Sequence, residues 1–313
     1  MKGLGMAAAN WRSYTDAEMQ AALDLSPQGF LFLAFPGDPT QRDRVAQEAE
    51  LCRAIGNMSP HVRMLLPNSM SLSPSDLAFE MYMLYRLYVA AGLNPSWSPW
   101  NEVNIPGERG LPLEAGLQED WHFQIEYARE FLAYLRMRLP DIRVYIPALS
   151  PQGGYLEGLG HYMTRLTGYD GVAIHAYSYT DLLDAQMVKD FTGKAAVITE
   201  YNQVPVHAVL AGGFESYYFI LDSADPAFDR FSLMKNPALF AEFKAGLVAP
   251  EEEPMPEEYI VGEGIFNAMD AHEDAPVEDE WDLVRNRLRA CAGLENFYTY
   301  SFASNEVYVS PKA

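Results

Sequence analysis

Eight short apolar runs recur along the first two thirds of the chain, at 4–9, 30–35, 62–66, 95–100, 144–148, 171–175, 196–199 and 216–221. Within them apolar side chains are nearly continuous rather than alternating with polar ones. A strand can be apolar on both faces only if both faces are covered, which is the situation in a parallel sheet flanked by helices. The segments between the runs have helical periodicity. Residues 76–91 carry Leu77, Met81, Leu84, Tyr85 and Tyr88 on one face, after a Ser-Pro start and before Gly92. Residues 42–55 stop at Gly56, and 117–139 stop at Pro140; both are ordinary helix stops. Eight β/α repeats over about 245 residues predict an α/β fold of the (β/α)8 barrel type. A doubly wound open sheet is the alternative. It usually has fewer strands and a glycine-rich first turn, and Gly3-x-Gly5 lacks both the third glycine and the acidic partner of a dinucleotide site.

Length and charge narrow the functional classes. The 313 residues suffice for one large domain with a small attachment, and 49% of them are hydrophobic, enough for a substantial core. Composition shifts near Val248, so the expected division is a catalytic barrel at 1–248, an exposed linker at 249–256 and a small α+β extension at 257–313. The extension reads as helices at 258–271 and 280–292 followed by a hairpin, 297–302 with 306–309. So short a piece buries too little by itself and is expected to pack on the barrel through Phe266, Met269, Trp281, Leu288 and Phe297. The formal net charge of −21 opposes binding to nucleic-acid phosphates, which relies on Lys and Arg. No run reaches the roughly 18 uncharged apolar residues of a membrane span. The N-terminal stretch, 1–11, reads as a first strand rather than a signal peptide, so a cytoplasmic or phage-associated location is expected over export by a standard leader. Cys52 and Cys291 are too few for a disulfide framework and lack metal-ligand spacing. The crowded Asp270, His272, Glu273 and Asp274 read as a solvated acidic loop. No metal or cofactor is expected.

Two carboxylates stand at run ends. Glu102 follows the fourth run in Pro99-Trp100-Asn101-Glu102-Val103, and Glu200 closes the seventh in Val197-Ile198-Thr199-Glu200-Tyr201. In a barrel all C-terminal strand ends converge on one face, which is where active sites form. Alone, a glutamate at a strand end is usually a solvated residue or a helix cap. A pair brought to one face is what glycoside hydrolysis requires, provided the two carboxyls sit in unlike environments. His175, two residues before Tyr177, ends the sixth run. Trp11 and Trp100 stand beside predicted strand ends and are better placed than Trp97 as sugar-stacking platforms, although aromatic side chains more often fill cores. Glu215 and Asp222 flank the eighth run. No Ser-His-Asp order or nucleophile elbow is present.

These motifs resemble clan A of the glycoside hydrolases, retaining barrel enzymes with an Asn-Glu pair ending strand four and a glutamate ending strand seven. The segment from Asp170 to Tyr177 is similar to the clan's His-x-Tyr segment at strand six, and Ile198-Thr199-Glu200-Tyr201 to its nucleophile segment. The resemblance covers roughly residues 3–247. It implies that Glu102 is the acid/base and Glu200 the nucleophile, and that Asn101 bonds the sugar 2-hydroxyl. It also implies that His175 and Tyr177 line the substrate cleft, with Tyr177 steadying the nucleophile; Tyr201, Trp11 and Trp100 join them as substrate-binding candidates by their places beside strand ends. Val103 stands where many members have proline, and strand eight offers Tyr217, Tyr218 and Phe219 where a tryptophan often floors the sugar site. The implied activity is retaining hydrolysis of a β-linked glycan, with a carbohydrate as partner. The alternative is a barrel that binds glycan without cutting it, or a structural part of a phage or cell-wall-associated assembly.

Overall fold

The structure is a computed structural model that describes residues 1–7, 11–66, 69–105, 117–146, 148–151, 155–202, 204, 206, 209, 213–248, 296–301 and 306–311. Eight parallel strands are present: β1 Lys2–Gly5, β2 Gly29–Ala34, β3 His61–Met64, β4 Ser96–Ser98, β5 Arg143–Val144, β6 Gly171–Ala176, β7 Ala195–Tyr201 and β8 Glu215–Tyr218. They are ordered β5-β4-β3-β2-β1-β8-β7-β6. The seam between β5 and β6 is joined by parallel bridges at Tyr145–Gly171 and Leu149–Ile174. The sheet is therefore a nearly closed (β/α)8 barrel, as the apolar runs predict. β4 is shorter than its run because Pro99 follows it and has no N–H for the ladder.

The described helices are α1 Asp16–Leu25, α2 Gln41–Ile55, α3 Pro74–Ala90, α4 Leu117–Arg138, α5 Tyr155–Arg165, α6 Tyr179–Thr192 and α7 Pro237–Val248. Their ends follow local chemistry. Ser73 caps α3 with Pro74 in its first turn, and Thr15 with Glu18 makes a reciprocal capping box on α1. Gly56 closes α2 at φ 73°, a left-handed conformation that glycine adopts without a Cβ clash. The predicted helices at 42–55, 76–91 and 117–139 match α2, α3 and α4 to within two residues at each end. At the C-terminal end β9 Asn296–Ser301 pairs antiparallel with β10 Glu306–Pro311, the expected hairpin. The linker, the helices expected at 258–271 and 280–292, and the packing of Phe266, Met269, Trp281, Leu288 and the Phe297 side chain lie outside what the structure describes. Cys52 is free and buried. Among the described residues no helix is long and apolar enough to cross a membrane.

Strand alternation creates two cores. Phe30, Phe32, Val62, Met64, Trp97, Val172, Ile174 and Ile198 face outward and are buried under the helices. Leu31, Leu33, Tyr145, Ala173, Val197 and Tyr217 fill the barrel interior. Two glycines make room for the interior rings. A Cβ on Gly171 would lie 2.3 Å from the Tyr145 ring, and one on Gly3 would lie 2.4 Å from the Tyr217 ring. The interior also holds His61, whose Nδ1 and Nε2 each lie 2.9 Å from a hydroxyl, of Ser96 and Ser98 respectively. Burial, then the charges of Arg63 and Arg143, hold this imidazole neutral by pushing its pKa down to about 3.

A second buried polar cluster sits where α1 and α2 cover the barrel. Arg44 pairs with Asp38 at 2.6 Å, both side chains fully enclosed. The Tyr14 hydroxyl donates to Glu48 Oε1 at 3.0 Å. The other Glu48 oxygen and the nearby Tyr88 hydroxyl form no well-shaped hydrogen bond. Burial is the dominant influence and pushes the Glu48 carboxyl up to about 7, above the pull of Tyr88, Tyr14 and Arg44. Its folded value exceeds the unfolded one, so protonation stabilises the fold. That contribution is full below about pH 4 and is lost as pH rises through about 7. Glu48→Gln should therefore remove a few kcal/mol of pH dependence from the melting profile between pH 5 and 8. Parallel wild-type and Glu48→Gln melting curves across that range would contradict the assignment.

Candidate active site

Glu200 lies near the C-terminal end of β7, and its direction is set by an irregularity in the ladder. Ile174 pairs with Ile198, but His175 pairs with Glu200, so Thr199 is one residue extra on β7. The β8 side shows the same shift, between the Ile198–Ser216 and Tyr201–Tyr218 pairs. In an unbroken strand Glu200 would share the outward face of Ile198. The bulge reverses the phase, as bulges beside active sites commonly do. Glu200 then points inward with His175, and Tyr201 points outward.

Three side chains meet at Glu200. Arg63 Nη1 donates to Glu200 Oε2 at 2.8 Å, while its Nη2 donates to the carbonyl of the bulged Thr199 at 2.9 Å. The Tyr177 hydroxyl donates to Glu200 Oε1 at 2.5 Å. Burial, reinforced by the charges of Glu200 and Glu102, pushes the Tyr177 phenol far above its ordinary value, so it stays a donor. His175 Nε2 is 3.8 Å from Glu200 Oε2, and its Nδ1 is 2.9 Å from Glu102 Oε1. With Glu102 ionised, the proton of His175 resides on Nδ1 and is donated to that carboxylate. Two carboxylates from β7 and from the end of β4 thus address opposite nitrogens of one imidazole.

Glu102 is held differently. It lies four residues beyond β4 in a left-handed backbone conformation, φ 37°, which costs a non-glycine residue about 1–2 kcal/mol. Its carbonyl accepts from Ile105 N at 2.8 Å. Burial raises its pKa, but the bond and charge of His175, the charge of Arg63 and a bond from Ser150 outweigh that and leave it below its ordinary value. The two carboxyls do sit in unlike surroundings, although Glu102 is not pushed upward in the resting site.

The remaining sequence candidates divide. Asn101 is half-buried beside Glu102, and among the described residues its buried Oδ1 has no hydrogen-bond partner, an unsatisfied acceptor that calls for an explanation such as a ligand. Trp11 is 63% exposed at φ 61°. Its N–H donates to Asp38 Oδ2 at 2.7 Å, so the Asp38–Arg44 pair pins the backbone beneath it. Trp100 is a correction: it is 1% exposed and packs edge-on against Tyr127 and Phe131 of α4. It faces the helix layer, not the cleft, and no sugar can stack on it. Tyr201 is a second correction, since the bulge turns it outward against Tyr218 at 5.4 Å and buries it completely. Asp222 accepts from Ser232 and Glu215 from Tyr217. Arg63 was not anticipated. Its signal was a lone cation inside the apolar run Val62-Arg63-Met64-Leu65-Leu66. Phe219, half-buried just past β8, stands edge-on to Phe228. Among the described residues no cluster could hold a metal ion.

No protein-family model matches the chain, and no curated protein does. Solved structures do. The catalytic domain of a mannanase from Streptomyces sp. SirexAA-E is similar at TM-score 0.54 and 13% identity, with 80% of this chain and 85% of that one covered. A modular endo-beta-1,4-mannanase from Cellulomonas fimi is similar at TM-score 0.51 and 15% identity, covering 84% and 73%. A GH5-4 broad specificity endoglucanase from an uncultured bacterium gives TM-score 0.51 and 13% identity over 79% and 94%. The chain spans 58% of the length of a GH39 enzyme from Xanthomonas axonopodis pv. citri that it also matches. At these identities the likeness shows the fold: the barrel is one that clan A glycoside hydrolases have.

Arg63 is the cation of a nearly buried pair with Glu200, so Arg63→Met should cost about 3 kcal/mol or more by leaving the carboxylate unpaired. Denaturant unfolding measures it. A loss under 1 kcal/mol would show that Glu200 relaxes to solvent instead.

Proposed function

We propose that this protein is a retaining glycoside hydrolase that cleaves a β-linked glycan by double displacement. The observation that carries the reading is the placement of Glu102 and Glu200 on opposite nitrogens of His175, at one barrel mouth. In the first step Glu200 attacks the anomeric carbon, the glycosidic C–O bond breaks, and Glu102 passes its proton to the leaving oxygen. In the second step Glu102 takes a proton from water, whose oxygen displaces Glu200 and releases the sugar. Tyr177 and Arg63 orient the nucleophile. The unsatisfied Oδ1 of Asn101 accepts from the sugar 2-hydroxyl, and Trp11 offers its exposed indole face to a more distant ring.

Glu102 must be protonated before the first step, and its surroundings hold its pKa low. Turnover of a substrate with a poor leaving group should therefore be greatest at acid pH and fall as Glu102 ionises. An aryl glycoside with an activated leaving group needs no such proton, so Glu102→Ala should still form the glycosyl-enzyme on it and stall there. Glu200→Ala should form no covalent intermediate. Azide should yield a β-glycosyl azide from Glu102→Ala and an α-glycosyl azide from Glu200→Ala, identified by mass spectrometry and NMR. Undiminished hydrolysis in both variants would show that other residues do the chemistry.

The low pKa of Glu102 favours one competing reading, a glycan-binding barrel without catalysis. Saturable oligosaccharide binding by wild-type protein, with no hydrolysis of any β-glycan between pH 3 and 8, would establish it.

A further inference from the structure

The loop after β4 is tied to the end of β5 by an asparagine that behaves like a strand. Asn104 Nδ2 donates to the Ser150 carbonyl at 2.9 Å, and Ser150 N donates to Asn104 Oδ1 at 2.8 Å. The side-chain amide thus completes both backbone groups of Ser150, and both residues are buried. The Ser150 hydroxyl also helps to hold the Glu102 carboxyl below its ordinary value. One residue earlier, Leu149 bridges Ile174 of β6, the neighbour of His175. Val103 is fully enclosed after Glu102 and Trp100 is 1% exposed before it, so the short loop is anchored on both sides of a residue in a strained backbone conformation. Strain of this kind persists only where surroundings over-determine it.

We propose that Asn104 and Ser150 form a positioning pair that holds the acid/base Glu102 in its left-handed conformation and sets the pH range in which it can donate its proton. The proposal rests on the hydrolase reading of Glu102. Removing Asn104 frees the loop, and removing the Ser150 hydroxyl takes away a donor that favours the ionised carboxylate. The other titratable groups facing Glu102 are His175 on β6, Arg63 on β3, and Tyr177 and Glu200 across the mouth. All four remain in both variants.

The experiment compares Asn104→Ala, Ser150→Ala and Ser150→Thr with wild type. On an oligosaccharide with a poor leaving group, Asn104→Ala should lose about tenfold or more in kcat with KM little changed. Its glycosylation burst on an activated aryl glycoside should persist. Ser150→Ala should move the falling limb of the pH profile to higher pH, and Ser150→Thr, which restores a hydroxyl, should move it back. The Glu102 carboxyl is also titrated directly by carbon NMR, with its resonance assigned from Glu102→Gln. That readout needs no turnover, and a midpoint that returns to the wild-type value in Ser150→Thr separates loss of the hydroxyl from loss of folding. An unmoved titration midpoint in Ser150→Ala, or equal losses on good and poor leaving groups in Asn104→Ala, would overturn the proposal. If Glu102→Ala alone is inactive on the poor leaving group while the other variants match wild type, only the positioning pair fails. If Glu102→Ala is fully active, the hydrolase reading itself fails.

Discussion

One residue of surplus length in β7 underlies the rest of the site. Thr199 has no counterpart on β6, β7 carries the same one-residue surplus against β8, and the phase change turns Glu200 into the barrel and Tyr201 out of it. The bulge also frees the Thr199 carbonyl to receive Arg63. Cation, bulge and carboxylate therefore depend on each other. The bulge supplies both acceptors of Arg63, and Arg63 supplies the charge that makes an inward glutamate tolerable in a nearly closed interior.

The barrel interior changes character along its axis. Rings and aliphatic side chains of β2, β5, β6, β7 and β8 fill it as an ordinary packed core. His61 stands with two serine hydroxyls, and its neutral ring adds polarity without charge. Two positions further along β3, Arg63 brings the first full charge, followed toward the mouth by Glu200, His175 and Glu102. The charged groups meet at this end, where each has a partner, because an unpaired ion would be costly so close to a packed core. Glu102, the least enclosed of these by side chain among the bonded carboxylates, is the one whose backbone is strained.

The sequence expectations succeeded where chemistry is local. Ser73, Thr15 and Gly56 mark helix ends because caps act within one turn, and the apolar runs mark strands because parallel strands are covered on both faces. They failed at Trp100 and Tyr201. Both flank a site residue, and neighbours in a strand normally point oppositely, but which one points inward depends on bulges and on where the strand ends. Arg63 was overlooked for a related reason. A cation in an apolar run shows that something must pair with it, and its partner is 137 positions away.

The amino-acid order by itself determined the repeat count, hence the barrel, and the two glutamates at converging strand ends. Only the tertiary structure decided which side chains share the mouth: His175 between the carboxylates, Arg63 and Tyr177 on Glu200, and Asn104 beside them clasped to Ser150. The physical reason is the range of the interactions. Periodicity and capping are written over a few consecutive residues, whereas these contacts join β3, β6, β7 and the segments after β4 and β5 through a nearly closed ring whose register is settled by pairing with neighbours.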